Sequence, residues 1–290
     1  MHLKNFNEYS TVPRSWCSAG RRHFFISSRG DVSRCAGFWY GHKSILGSIK
    51  DKDLRASIIS DKNEYQACQK PMCVVDCDGY MVEHEILSSP PVVHRGGKLT
   101  ENNFIGSDFC TLMLHLTALC NMKCPYCCAQ GWMEAHKTQD LPLADWLDGV
   151  KFFTQTFSRG VAQVMGGEPT VKKGWEEIVL ILIEAGWKVE LITNMVKDKA
   201  VIDLVSSLSP EKRQMCLINI SMHPTQKNFD PAKLMVAFFQ LKVLKAHFAC
   251  SLVQTPDNLR LAQEMNLRER VDNMGVPWFG AVPDYGFAKF

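Results

Sequence analysis

The sequence has no apolar run long enough to cross a bilayer, which takes about 18 consecutive apolar residues or more. Its opening residues, MHLKNFNEYSTVPRSW, lack the apolar stretch of a secretory signal. A dense block of one charge is missing too. The 33 Lys and Arg against 30 Asp and Glu leave a net charge of +3, with no basic run that would make a clear case for nucleic acid or a membrane surface. No low-complexity tract and no short repeat occurs. These absences argue against a membrane protein and point to the cytoplasm. What remains is an ordinary globular composition, 46% hydrophobic and 22% charged over 290 residues. That length suits one large domain with a small one, or two modest ones.

The twelve cysteines are the unusual feature. A disulfide framework belongs to short secreted chains, and this chain is neither short nor marked for export. In a reducing compartment, grouped cysteines more often hold metal or iron–sulfur clusters. Five lie early, at Cys17, Cys35, Cys68, Cys73 and Cys77. A second group runs from Cys120 to Cys128, and Cys110, Cys216 and Cys250 stand alone in apolar segments, where they read as small core residues.

Organisation changes along the chain. Residues 1–83 carry the early cysteines and short strand-like pieces, with a hairpin expected from His23–Ser27, a turn at Arg29–Asp31 and a return at Val32–Cys35. Residues 84–108, with Pro-Pro and Gly-Gly, have no sustained period and read as a linker. From Phe109 to residue 290 apolar strands alternate with amphipathic helices. The strands are expected at 109–116, 161–165, 187–192, 215–220, 247–253 and 276–282. Leu143, Trp146, Leu147 and Val150 give one helix its apolar stripe, and Asp230-Pro231 and Thr255-Pro256 mark two helix starts. Six βα units imply a parallel sheet, either open or curled into a barrel.

LTALCNMKCPYCC directly follows the first of these strands. Cys120, Cys124 and Cys127, spaced C-x3-C-x2-C, can converge three thiolates on one 4Fe–4S cubane and leave one iron open to a small molecule. A structural zinc site completed by Cys128 or a distant residue is the alternative. TALCNMKCPYC resembles the cluster loop of the radical S-adenosylmethionine (radical SAM) superfamily. MGGEPT, one βα unit later, resembles that superfamily's Gly-Gly-Glu-Pro motif at Gly166, Gly167, Glu168 and Pro169. The resemblance covers the last two-thirds of the chain and implies an α/β fold, a partial (β/α)6 TIM-type barrel with ligands at the C-terminal strand ends. It also implies S-adenosylmethionine as cofactor. Backbone groups of the Gly-Gly loop and Glu168 would hold the methionyl ammonium, and Asn194 and Ser221 become candidates for the ribose or the carboxylate. His223 is a weaker candidate, and Tyr126 would pack beside the adenine.

The early cysteines, in CSAGRRHFFISSRGDVSRC followed by ILGSIKD and then Cys68, Cys73 and Cys77, are similar to SPASM domains, which carry auxiliary iron–sulfur clusters. Five cysteines suit one auxiliary cluster, a 4Fe–4S cluster by this resemblance. A zinc knuckle is the alternative. Such domains usually follow the barrel, so their position here suggests a circular permutation with the two termini close together. The resemblance further implies reductive cleavage of S-adenosylmethionine to a 5′-deoxyadenosyl radical, hydrogen abstraction from substrate, and a reductant such as flavodoxin or ferredoxin. Oxidation or cross-linking of a peptide or protein side chain is the leading expectation. A nucleotide or other small metabolite is the second, and a non-catalytic zinc- or cluster-binding module the third.

Overall fold

The computed structural model describes residues 16–17, 23–33, 45–61, 66–67, 109–127 and 129–281. Five early strands fall within these: β1 (Trp16–Cys17), β2 (His23–Ile26), β3 (Asp31–Ser33), β4 (Ile45–Ser48) and β5 (Gln66–Ala67). Six later ones are β6 (Phe109–His115), β7 (Arg159–Met165), β8 (Lys188–Thr193), β9 (Cys216–Met222), β10 (His247–Val253) and β11 (Trp278–Ala281). All six lie within about two residues of the sequence expectation, because each is a short apolar run punctuated by turn chemistry.

The six later strands pair in parallel and in chain order. The sheet does not close on itself among the described residues, its ends being β11 and β4. This is a partial barrel. One pairing was not legible beforehand. The hairpin of β2 and β3 joins the same sheet, with β2 lying parallel to β6 and His23 opposite Thr111, so the early segment extends the barrel wall. Its turn sits at Ser28-Arg29 and closes through Gly30, whose φ of +85° suits glycine.

The helices are α1 (Lys52–Asp61), α2 (Gln130–His136), α3 (Leu143–Thr156), α4 (Trp175–Glu184), α5 (Asp198–Ser207), α6 (Pro210–Arg213), α7 (Pro231–Val243), α8 (Pro256–Glu264) and α9 (Leu267–Asn273). They cover the outer face of the sheet, apart from α2, whose Trp132 packs against the inward-facing Phe25, Met113 and His115. Asp230 caps α7 by accepting from the amides of Ala232 and Lys233, and Thr255 caps α8 through Asn258, so both proline-marked starts form as expected. Strand residues alternate. Ala162, Val164, Val189, Leu191, Ile218 and Ile220 face the helices and join the large core with Trp146, Trp175 and Trp187. Cys110, Cys216 and Cys250 are buried in that core, where burial pushes the Cys216 thiol up to about 12.

The early segment docks through a glycine. A Cβ at Gly149 of α3 would come within 2.1 Å of the Ile49 side chain. Helix propensity favours Gly149→Ala by about 0.5–1 kcal/mol, whereas overpacking costs about 1–3 kcal/mol. We expect net destabilisation in urea titration, with Gly131→Ala, which meets nothing within 4 Å, stabilising instead.

Among the described residues no helix is long and apolar enough to cross a membrane.

Candidate cofactor site

The loops that follow β6, β7, β8 and β9 meet at the C-terminal ends of parallel strands, the position where such sheets bind ligands. Two backbone bonds stitch the first loop to the second. The amide of Gly167 donates to the Thr117 carbonyl and that of Glu168 to the Leu119 carbonyl, both at 2.8 Å. Below them the Leu116 amide donates to Met165 at 2.8 Å, so the sheet ladder continues into the loops. Asp140 anchors the same stretch from outside, accepting from the Thr117 hydroxyl and, at 3.0 Å, from the Ala118 amide.

Glu168 ties the second loop to the third. Its carboxylate, 1% exposed, accepts from the Thr170 amide (3.2 Å), the Thr170 hydroxyl (2.6 Å), the Thr193 hydroxyl (2.7 Å) and the Asn194 amide (2.7 Å). Burial pushes its pKa up and these donors pull it back. Asn194 in turn donates from its side chain to Asn121 Oδ1 at 2.7 Å. Asn121 lies between Cys120 and Met122. A cavity of about 40 Å³ opens beside this bridge, lined by Met122, Asn194, Met195, Ser221, Phe229 and Lys233 among others. Asn194 and Ser221 therefore share one cavity with Met122 of the cluster loop.

The three loop thiols are grouped. Burial pushes Cys124 up to about 11, the Tyr126 side chain lowers it, and the charges of Cys127 and Cys120 raise it further. Cys120 and Cys127 are also raised, chiefly by burial. Three thiols from one loop are the donor chemistry that iron–sulfur clusters take. Tyr126 donates or accepts at 3.0 Å with His223 Nδ1, its ring 6.0 Å from the imidazole at 21°, and its hydroxyl also reaches Asn258 Oδ1 at 3.4 Å. His223 Nδ1 lies 3.6 Å from Cys124 Sγ. His223, Asn258 and Asp140 are thus more deeply engaged than the sequence indicated. No local motif marks Asn258 or Asp140, since each reaches the loop from a distant segment.

Among the early cysteines only the backbone of Cys17 is described. It pairs with Gln66, while Trp16 pairs with Ala67, the residue before Cys68 in sequence. Cys35, Cys68, Cys73, Cys77 and Cys128, the expected linker and both termini lie outside the described residues.

Three stitched loops, a thiol trio and a small cavity stand together at the C-terminal rim of a parallel sheet, the place where enzymes of this architecture bind a cofactor. The family model for the radical SAM superfamily matches residues 114–276, and the chain belongs to that superfamily. A model for an iron–sulfur cluster-binding domain of the SPASM type matches residues 17–79. Family membership implies iron–sulfur and S-adenosylmethionine binding. Curated relatives include GTP 3′,8-cyclases of Psychromonas ingrahamii, 30% identical over 95 residues (32% of this chain, 28% of that one), and of Haemophilus ducreyi, 27% identical over 139 residues (42% and 40%). The chain therefore spans well under half the length of these relatives. Solved structures with a similar fold include Streptococcus suis SuiB bound to S-adenosylmethionine, at 13% identity and TM-score 0.47, covering 62% of this chain and 42% of that one. Another is native anSMEcpe with bound AdoMet and Kp18Cys peptide, at 17% and 0.46, covering 62% and 55%.

Proposed function

We propose that this radical SAM enzyme oxidises or cross-links a side chain of a peptide or protein, using a 4Fe–4S cluster on Cys120, Cys124 and Cys127. One observation carries the cofactor reading: the cluster loop is bonded at Gly167–Thr117, Glu168–Leu119 and Asn194–Asn121 to the loops that would hold S-adenosylmethionine. When bound, the cluster supplies one electron to the sulfonium. The chain's own residues do the positioning. An ammonium needs acceptors. The amides of Gly167 and Glu168 and the carboxylate of Glu168 are already engaged, so backbone carbonyls of the Gly-Gly loop take the methionyl ammonium. Glu168 staples the loops, Asn194 and Ser221 meet the polar end of the cofactor, and Tyr126 closes the pocket against His223.

The peptide reading rests on the SPASM match at residues 17–79, since such domains commonly accompany peptide modification. We assign residues 1–83 to the auxiliary domain with one cluster on four of Cys17, Cys35, Cys68, Cys73 and Cys77, residues 84–108 to a linker, and 109–290 to the barrel. A nucleotide substrate is the second reading, favoured by the identity to GTP 3′,8-cyclases.

Anaerobic reconstitution followed by S-adenosylmethionine and dithionite tests the proposal. We expect about eight irons per chain and formation of 5′-deoxyadenosine. Cys124→Ala should lower that product at least about a thousandfold, since a thiolate ligand is lost. Four irons with product formed would remove the auxiliary cluster. Consumption of GTP under the same conditions would overturn the peptide reading.

A further inference from the structure

On the inner face of the barrel wall, opposite the helix-packed core, three polar side chains line up across adjacent strands: Gln163 on β7, Glu190 on β8 and Asn219 on β9. They alternate with the outward core residues Ala162, Val164, Val189, Leu191, Ile218 and Ile220, so the pleat turns them inward. Each is buried, at 7%, 6% and 4% exposure. Gln163 Nε2 donates to one Glu190 oxygen at 2.9 Å and Asn219 Nδ2 to the other at 2.7 Å.

This arrangement is incomplete in two independent ways. The carboxylate is met by neutral amides, and among the described residues it forms no ion pair, although a buried charge is costly unless a counter-charge meets it. Lys188, two residues earlier on the same strand, is exposed and forms no such pair. The Asn219 amide is fixed in orientation, because only its nitrogen can donate to the carboxylate. That leaves its Oδ1 buried without a hydrogen-bond partner, an acceptor turned into the barrel. Gln163 Nε2 is fixed the same way. A carboxylate and an amide oxygen on one wall ask for a ligand with several N–H donors and a positive charge.

The trio also lies where substrate must come. Asn219 is two residues before Ser221, on the same face and about 7 Å deeper. Gln163 is three residues before Gly166. The wall therefore begins where the proposed S-adenosylmethionine site ends.

We propose that Gln163, Glu190 and Asn219 form the docking site for a cationic nitrogen group of the substrate, an ammonium or guanidinium such as a lysine or arginine side chain carries. The cation meets Glu190, and one of its N–H groups meets Asn219 Oδ1. The inference rests on the proposed function for its location at the reaction centre.

The test uses the reconstituted full chain with S-adenosylmethionine, titrated calorimetrically with the methylamides of N-acetyl-lysine and N-acetyl-arginine. The matching norleucine and glutamate derivatives serve as controls. One or both cationic probes should bind at least about tenfold more tightly than norleucine, and Glu190→Gln and Asn219→Leu should each abolish that preference. Glu190→Gln should leave the thermal midpoint unchanged or raise it, since it removes an uncompensated buried charge. Equal binding of all probes, no binding of any, or a cation preference that survives Glu190→Gln would overturn the proposal. So would a Glu190→Gln chain that melts well below the parent, which would make the trio structural. If 5′-deoxyadenosine fails to form in the parent chain while cation preference holds, the proposed function falls and this site stands.

Discussion

Gly167→Ala should reduce 5′-deoxyadenosine formation at least about a hundredfold, a loss comparable to misplacing a reacting group by an ångström. A Cβ at this position would lie 2.2 Å from the Leu119 carbonyl oxygen and 2.6 Å from its carbon. Both are backbone atoms, and neither can rotate away as a side chain would. The loop must part. The strands of the stitch, Gly167 to Thr117 and Glu168 to Leu119, then lengthen together, and Leu119 carries Cys120 with it. Two backbone bonds at about 1 kcal/mol each and the steric term give a loss of about 3 kcal/mol. At roughly 2–4 °C per kcal/mol the thermal midpoint falls measurably while the sheet stays folded. Iron analysis should show weakened loading at the barrel site, and far-ultraviolet circular dichroism should be unchanged. Gly131→Ala, on α2 a few residues past the cluster loop and with open space around it, is the matched control. Normal turnover by Gly167→Ala would mean that the two loops are not held together by this contact.

Much of this architecture is written locally. The strands β6 to β11 are apolar runs of a few residues, and the starts of α7 and α8 carry their own caps, so pattern and turn chemistry locate them. C-x3-C-x2-C and Gly-Gly-Glu-Pro are contiguous and placed one βα unit apart, which made the site visible. What stayed hidden depends on pairing across long separations. The parallel contact of β2 with β6 joins residues 23–26 to 111–114, and nothing in either segment specifies the other. Asp140 reaches Thr117 and Ala118 from 22 or more residues away. Glu168 was legible as a motif residue, yet its four hydrogen bonds within the loops could only be counted in three dimensions. The inner-wall trio was hidden for a further reason. Gln163, Glu190 and Asn219 interrupt apolar strands singly, and a lone polar residue gives no sign of meeting two others.

Acid should destabilise the cluster-free chain steeply between pH 6.5 and 4, through two imidazoles held neutral by burial. His115 is fully buried beside Trp132 and Phe25, with ring centroids at 4.8 and 6.0 Å. Burial lowers its pKa from 6.5 to about 4, against the opposing pull of the Asp140 charge and the Gly166 backbone. His223, against Tyr126, is likewise lowered to about 4 by burial. A folded pKa below the unfolded value means that the unfolded chain takes up the proton first as pH falls. The stability these groups contribute is therefore complete above pH 6.5 and is lost as pH falls toward 4, at about 3 kcal/mol for each. Urea midpoints at pH 7 and pH 4.5 measure it. His115→Phe keeps an aromatic ring between Trp132 and Phe25 but cannot take a proton, so it should remove roughly half of the acid loss. An unchanged acid slope in His115→Phe would show that His115 is not protonated on unfolding in this range, and the loss would then belong to other groups.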